Sequence, residues 1–468
     1  MFLIDTFKNL YSGFYNIKWI IQNMVRLNTI TIEELDDVNS INTLKNNIMH
    51  TGCIGIKFTQ WYISHSQSSN NARSMKLCDI FDDIFDQCPY HSIEHTETIF
   101  MDAFGTTLES QFDMDFFKPL ASGSIGQVYH TRMKNTNLEV VIKVKHPHVD
   151  EDITHYAPYL KFIKRLQSIR YIRNKLKLYF DIEDFIANVN LQADFRNEVS
   201  NSLRFKENFA DNDMVVIPKV HMVSKNVIVS KYEPGAELSE LTDYQRYKAI
   251  LNLMCFMQHT ILINDFIHGD LHIKNWRFRN DSGKLKFIVY DCGICFSSGN
   301  IELNRQLWRS FSEDDLVAFT EIINKMFIGN ITPAVQANID AFTNELCEHF
   351  KNCKFDITFI VAELMKFLFD NDLTLNKICL NMMIVLSIMD HIFKKQDIMS
   401  FKGATMPDSH EVIHQQRIEL INFCKTYNCY KGTLEYIELI ESDYKKKGHA
   451  FKLFGSLNAS NLTFTPIE

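Results

Sequence analysis

The sequence predicts an α+β protein built as two lobes. Three observations carry that expectation. Strand-like segments gather between residues 116 and 232, helical periodicity dominates on either side of them, and two polar motifs interrupt the apolar part that follows. At 468 residues the chain exceeds one ordinary core, so two to three compact units are expected.

Residues 1–116 read as helices with short loops, including the polar link "SHSQSSNNARS" at 64–74. Residues 117–236 carry the strands. Within them, 116–147 reads as a hairpin around a small-residue loop, closed by a strand at 139–144. A long amphipathic helix is expected over 176–210, with Asp181 as its cap and Leu191, Phe195, Leu203 and Phe205 on its apolar faces. Two further strands are expected at 218–223 and 226–232, ending on "EPG". Residues 237–400 read as a mostly helical lobe and 401–468 as a C-terminal helical segment. From residue 300 onward only helices are expected, with a polar interruption at 400–410.

Charge and cysteine usage narrow the function. Lys+Arg 49 against Asp+Glu 57 gives a net charge of -8, which speaks against a nucleic-acid partner. Eleven scattered cysteines, an odd number without metal-ligand spacing, fit a reduced cytoplasmic setting. Cys292 and Cys295 form a C-x-x-C but have no second pair, so they read as small buried residues. The start "MFLIDTFKNLYSGF" lacks a basic region before its apolar residues, so secretion is not expected. The segment up to Leu27 could lie on a lipid surface as an amphipathic helix, at the periphery of a membrane. The apolar run 378–393 contains Asn381, Ser387, Asp390 and His391, and reads as a buried helix rather than a span.

The chemistry sits in "HGDLHIKN" and "VYDCG". Asp270 is followed five residues later by Asn275, and Asp291 ends an apolar strand. Phosphoryl transfer uses such a set: one acid orients the attacking hydroxyl, an Asn and a second Asp hold Mg2+, and a lysine steadies the phosphates of ATP. Lys143 in "VVIKV" is the lysine candidate. Inside a strand it needs a charge partner, and Glu198 on the following helix is the natural one. The loop "ASGSIGQ" offers Ala121, Ser122, Gly123, Ser124, Gly126 and Gln127 to the phosphates, with Gly123 free to take positive φ. His268 and His272 read as scaffold for the catalytic loop. Each motif alone is common; their order along the chain points to a bilobal protein-kinase-like fold with helical N- and C-terminal extensions.

At "KPLASGSIGQVYHTRM", "DFRNEVSNSLRFKENF", "HGDLHIKN" and "DCG" the chain resembles the UbiB-like (aarF-domain) atypical kinase family, over about residues 54–311. The resemblance implies Lys143 as phosphate-binding lysine with Glu198 as its helix partner. It further implies Asp270 as catalytic acid, and Asn275 and Asp291 as metal ligands. The family's K-x-G-Q motif, which lies over the active site, corresponds to Lys57, Phe58, Thr59 and Gln60. Thr59 stands where the family has glycine. The family's E-x-D corresponds to Gln192 through Asp194, so one acid is lost. Ile273 and Lys274 replace Pro-Gly before Asn275, and Gly123 replaces a third alanine. The resemblance implies a kinase or ATPase linked to isoprenoid-quinone or lipid metabolism, with the acceptor undefined. Two other readings stay open: a small-molecule phosphotransferase of the aminoglycoside or choline kinase type, and a nucleotide-binding regulator without turnover.

Overall fold

A computed structural model describes residues 30–66, 72–167, 182–312, 316–352 and 409–446, together with residue 169 and parts of 22–29 and 363–375. Asp181, the run 378–393 and the first 21 residues lie outside the described residues, as does most of 400–410.

The N-terminal helices α1 (Val38–Met49), α2 (Gly52–Ser66) and α3 (Ala72–Ile80) share a core of Leu44, Ile48, Ile56, Ile63, Leu77 and Phe81. Helix α4 (Ile93–Phe104) is capped by Ser92 and closed by Gly105 in the left-handed conformation. Strands β1 (Lys118–Ser122), β2 (Gly126–Arg132), β3 (Glu139–Lys145), β4 (Val215–Val216), β5 (Val220–Val223) and β6 (Val227–Lys231) follow, interrupted by helices α5 (Val149–Gln167), α6 (Ile182–Gln192) and α7 (Phe195–Asn208). Five of the strands form one sheet in the order β1-β2-β3-β6-β5, antiparallel throughout.

Strand alternation places the site. Val140, Ile142 and Val144 of β3 are fully buried with Phe100 of α4 and with Val227 and Val229 of β6. Lys143, one position out of phase, therefore faces the other side, where its ammonium lies 5.1 Å from the Phe195 ring of α7.

The single helix expected over 176–210 is two. Apolar periodicity runs on through the break, but Asp194 takes an extended conformation and its carboxylate accepts the Arg196 N–H at 3.1 Å. Phe195 N–H then donates to Lys225 O at 3.1 Å, which fastens the start of α7 to the turn between β5 and β6. The restart turns Glu198, in the first turn of α7, toward β3.

The second lobe is built on α8 (Asp243–Leu262), most of whose residues beyond Lys248 are buried. Short strand β7 (Ile267–His268) pairs with β10 (Cys295–Phe296), and β8 (Trp276–Asp281) with β9 (Lys284–Val289), which β4 joins in parallel. Ser282 and Gly283, both at positive φ, make the tight turn between β8 and β9. Helices α9 (Ile301–Ser312), α10 (Leu316–Asn324) and α11 (Pro333–Asn352) follow. Helices α12 (Ser409–Tyr427) and α13 (Lys431–Lys446) pack back on α8, with His259 Nδ1 2.9 Å from Thr433 Oγ1. Among the described residues the expectation of helices alone after residue 300 fails at one place. Phe327–Ile328 pairs with Thr374–Leu375, and two-residue strands leave no alternation to read.

Candidate active site

Three predicted residues meet at one ammonium. Lys143 Nζ lies 2.7 Å from Glu198 Oε2 and 2.8 Å from Asp291 Oδ2. Burial alone would depress the lysine, but the charges of Asp291 and Glu198 hold it above its ordinary value. Asp291 is raised by burial, yet the Lys143 charge and the Gly293 N–H on its Oδ1 at 2.8 Å keep it well below the usual carboxylate range. Glu198 is the member that stays high. Burial first, then the neighbouring Asp291, push it up to about 7 against the pull of Lys143.

The loop 268–275 is tied to the same point by His268. Its Nδ1 accepts the Asp270 N–H at 3.2 Å, and its Nε2 bonds to Asp291 O. Those partners require a neutral ring protonated on Nε2, and burial lowers its basicity accordingly. His272 caps the following turn through Nδ1, which accepts the Lys274 N–H at 3.2 Å. Its ring lies 4.6 Å from that of Phe85. Asn275 donates its amide to Asp270 O at 2.8 Å, which points the amide oxygen away from that contact. Gly269 is needed here, because an added Cβ would sit 2.8 Å from Ile294 Cγ2.

Residues of the N-terminal helices reach this loop. Lys57 Nζ lies 3.7 Å from Asp270 Oδ2. Lys274, in place of the family's glycine, lies 3.7 Å from Asp82, 3.5 Å from Asp86 and 3.8 Å from Glu237. Thr59, at the other departure, is buried and donates to Gly55 O at 2.9 Å within α2. Gln60 spans two elements, donating to Ile84 O at 2.8 Å and accepting the Ser124 hydroxyl at 3.0 Å.

The loop 121–127 is committed to its own surroundings. Ser122 N–H donates to Asp86 O at 2.9 Å and Cys88 N–H to Ser122 O at 2.7 Å, so residues 86–88 run alongside the end of β1. Gly123 N–H donates to Gly126 O at 3.0 Å, and Gln127 Oε1 accepts the His91 N–H at 2.8 Å. Gly123 does not take positive φ, and a methyl group there would meet Phe85 O at 3.6 Å and Gly126 O at 3.7 Å, ordinary contacts. The freedom expected of this glycine is thus not drawn upon. Gly126 is the constrained one, since a Cβ would approach Val144 O to 2.8 Å. Ala121, at the end of β1, lies opposite Val128.

A relay that sequence reasoning missed supports the loop from behind. Tyr129 OH lies 2.7 Å from Thr96 Oγ1, which lies 2.9 Å from His91 Nε2. His91 Nδ1 meets His146 Nδ1 at 2.7 Å, and His146 Nε2 donates to Gly123 O at 3.0 Å. Burial, reinforced by the neighbouring histidines, lowers His91 to about 3; burial likewise lowers His146 to about 4. The partners are far apart in sequence, so only the spacing of His91, His95 and His146 could have hinted at them.

The family-motif residues on α6 and α7 divide. Gln192 donates to Asn188 O at 3.2 Å and lies against the turn after Asp291, where a Cβ on Gly293 would meet its Cγ at 3.4 Å. Asp194 instead pairs with the Arg196 guanidinium at 2.5 Å. Cys292 and Cys295 are free thiols, with Cys295 Sγ on Cys292 O at 3.4 Å.

Among the described residues no cluster of three or more His, Cys, Asp or Glu side chains could hold a metal by itself. The Asp291 carboxylate and Asn275 amide oxygen nevertheless suit Mg2+, which takes few protein ligands and completes its shell with phosphates and water.

A five-stranded antiparallel sheet with a lysine–glutamate pair, above a helical lobe carrying two acidic motifs, defines a protein-kinase-like fold. Residues 83–322, just over half of the chain, match the ABC1 atypical kinase-like domain, and the chain belongs to that family. It is 30% identical over 237 residues to the probable serine/threonine-protein kinase abkC of Dictyostelium discoideum, covering 49% of this chain and 33% of that protein. Against the probable protein kinase UbiB of Vibrio vulnificus (strain YJ016) it is 28% identical over 228 residues, covering 45% and 40%. The chain thus spans about a third to two fifths of the length of the curated relatives it matches. Among solved structures, Rv3197 of Mycobacterium tuberculosis in complex with erythromycin is similar at TM-score 0.46 and 18% identity, over 68% of this chain and 85% of that one. No described helix is long and apolar enough to cross a membrane.

Proposed function

We propose that the chain is an atypical kinase or ATPase that binds Mg-ATP in the cleft between the sheet and the helical lobe. The observation that carries this reading is the bridge of Lys143 to both Glu198 and Asp291, which joins the two lobes at a single charge. In this reading Lys143 holds the nucleotide phosphates and Glu198 fixes its direction. Asp291 and Asn275 would hold Mg2+, which neutralises phosphate charge when bound. Asp270 orients the acceptor hydroxyl, or a water, and takes its proton. The acceptor class suggested by the family resemblance is a molecule of isoprenoid-quinone or lipid metabolism, with a lipid surface as a candidate partner.

One observation favours a second reading, a nucleotide-binding regulator without turnover. Lys57 Nζ lies 3.7 Å from Asp270 Oδ2, so an ammonium competes for the carboxylate that the kinase reading assigns to the acceptor. Phosphate release and transfer from labelled ATP separate the two. On the kinase reading, wild type turns over and Asp270→Asn loses at least about a hundredfold of that rate, the usual worth of a general base. Equal rates in the two proteins would overturn the assignment of Asp270.

A further inference from the structure

Three thiols of the second lobe converge outside the candidate site. Cys255 lies in α8, Cys424 in α12 and Cys429 in the short link from α12 to α13, and all three are free. Cys255 Sγ lies 3.6 Å from Cys424 Sγ across 169 residues of chain. The link is bent to bring the third sulfur to them. Asn428 and Tyr430, on either side of Cys429, both take left-handed backbone with φ of 49°, a conformation that costs a non-glycine residue. The Tyr430 hydroxyl fixes the bend by donating to Asn252 Oδ1 at 2.5 Å, one turn of α8 before Cys255. Hydrogen bonds with Cys255 and Cys429 hold the Cys424 thiol below its ordinary range, whereas burial pushes Cys255 up and the bond to Cys424 pushes Cys429 up. Cys424 is therefore the sulfur of the set that takes negative charge most readily, and the thiolate is the reactive form.

We propose that Cys424 and Cys255 form a reversible disulfide when the protein meets a hydroperoxide, clamping the C-terminal helix pair to α8. All three sulfurs are buried, so the oxidant must be close to water in size, as hydrogen peroxide is. The Cys424 thiolate takes one peroxide oxygen, the O–O bond breaks, and the hydroxide that leaves collects the thiol's former proton. The product is a sulfenic acid on Cys424. The Cys255 sulfur then attacks the Cys424 sulfur: the S–S bond forms, the S–O bond breaks, and the oxygen leaves as water with the Cys255 proton. Two thiols and one peroxide thus give one disulfide and two waters. The sulfurs need only close from 3.6 Å to the roughly 2 Å of a disulfide. Cys429 is the hydrogen-bonding partner that holds the Cys424 thiolate, not a member of the bond.

The test treats the full chain with hydrogen peroxide under native conditions, alkylates the remaining thiols in denaturant, and maps tryptic peptides by mass spectrometry without reductant. Trypsin cleaves after Lys248, Lys274, Arg417, Lys425 and Lys431, so the three cysteines fall on separate peptides. The expected main product is the Cys255 peptide linked to the Cys424 peptide. The oxidised chain should also run faster on a denaturing gel, because a loop of 169 residues is closed, and dithiothreitol should reverse both changes. Cys429→Ala should still form the bond and Cys255→Ala should not. Oxidised glutathione, too bulky for a buried sulfur, should form it far more slowly than peroxide. Any of three results on wild type would overturn the proposal: Cys424 linked to Cys429, Cys424 left as a thiol or driven to sulfinic acid without a cross-link, or cross-links scattered over the eleven cysteines. The wild-type map decides the question whether or not the variants fold, and no nucleotide enters the test, so its outcome is independent of the kinase reading.

Discussion

The loop 121–127 and the acid cluster around Lys143 are held by different chemistry. Around Lys143 two carboxylates crowd one ammonium, and the carboxylate that remains high, Glu198, is pushed up to about 7 by burial and by Asp291. Behind the loop, neutral histidines pass hydrogen bonds from Tyr129 to Gly123 O, and burial keeps them uncharged. The acid cluster retains oxygens with ligand capacity. The loop instead spends the N–H groups of Ser122 and Gly123, the Ser124 hydroxyl and the Gln127 side chain on the protein itself. A small-residue loop in the right place is therefore not by itself a phosphate cradle; what its donors already bind decides how much it can offer.

Breaking the charged side gives the largest effect. Lys143→Met leaves the buried Glu198 carboxylate facing the part-exposed Asp291 and should cost at most about 3 kcal/mol of unfolding free energy, the low end for a broken buried pair, because Lys143 and Asp291 both keep some exposure. Adding Glu198→Gln on that background should recover at least ~1 kcal/mol, since the two losses share one interaction. Additive losses in urea denaturation would show that the pair is not coupled.

The pH dependence should then separate the regions by sign. Glu198 is raised in the folded state, so its contribution is complete below pH 4.5 and is lost as pH rises through about 7. His91 and His146 are depressed, so theirs is complete above pH 6.5 and is lost as pH falls toward about 4 and then about 3. Glu198→Gln should therefore gain stability relative to wild type between pH 4.5 and 7, by ~1–3 kcal/mol. His146→Gln should gain relative to wild type as pH falls from 6.5 to 4. The same slope in both variants would erase the distinction.

Gly123→Ala gives the smallest effect. The methyl group has room and the backbone is not left-handed, so stability should be unchanged or rise by up to ~1 kcal/mol through the unfolded chain. A loss of more than ~1 kcal/mol would mean that the loop moves into a conformation only glycine allows.

How far the sequence reaches follows the same division. Lys143 with Glu198 is legible, because a lysine within an apolar strand needs a nearby acid and the next amphipathic helix supplies one. The turns around Asp270, Asn275 and Asp291 are legible because each is closed by a bond between near neighbours in the chain. The restart of the helix at Asp194 is hidden, since apolar periodicity continues across Ala193 while a contact to the distant Lys225 decides the break. The commitment of the loop is hidden for the same reason. Its partners Asp86, His91 and Gln60 lie up to 64 residues away and carry no local signature. The partners of Lys274 are equally invisible, and nothing in "HGDLHIKN" indicates that Asp82 and Asp86 surround it.

The central claim is that Asp291, held on Lys143, completes a Mg-nucleotide site. A thermal-shift titration with ATP, with and without Mg2+, on wild type and Asp291→Asn tests it most directly. Wild type should gain roughly 2.7 kcal/mol at a hundredfold excess over Kd, only with Mg2+ present, and Asp291→Asn should lose that gain. A Mg2+-dependent shift of the same size in Asp291→Asn would contradict the claim.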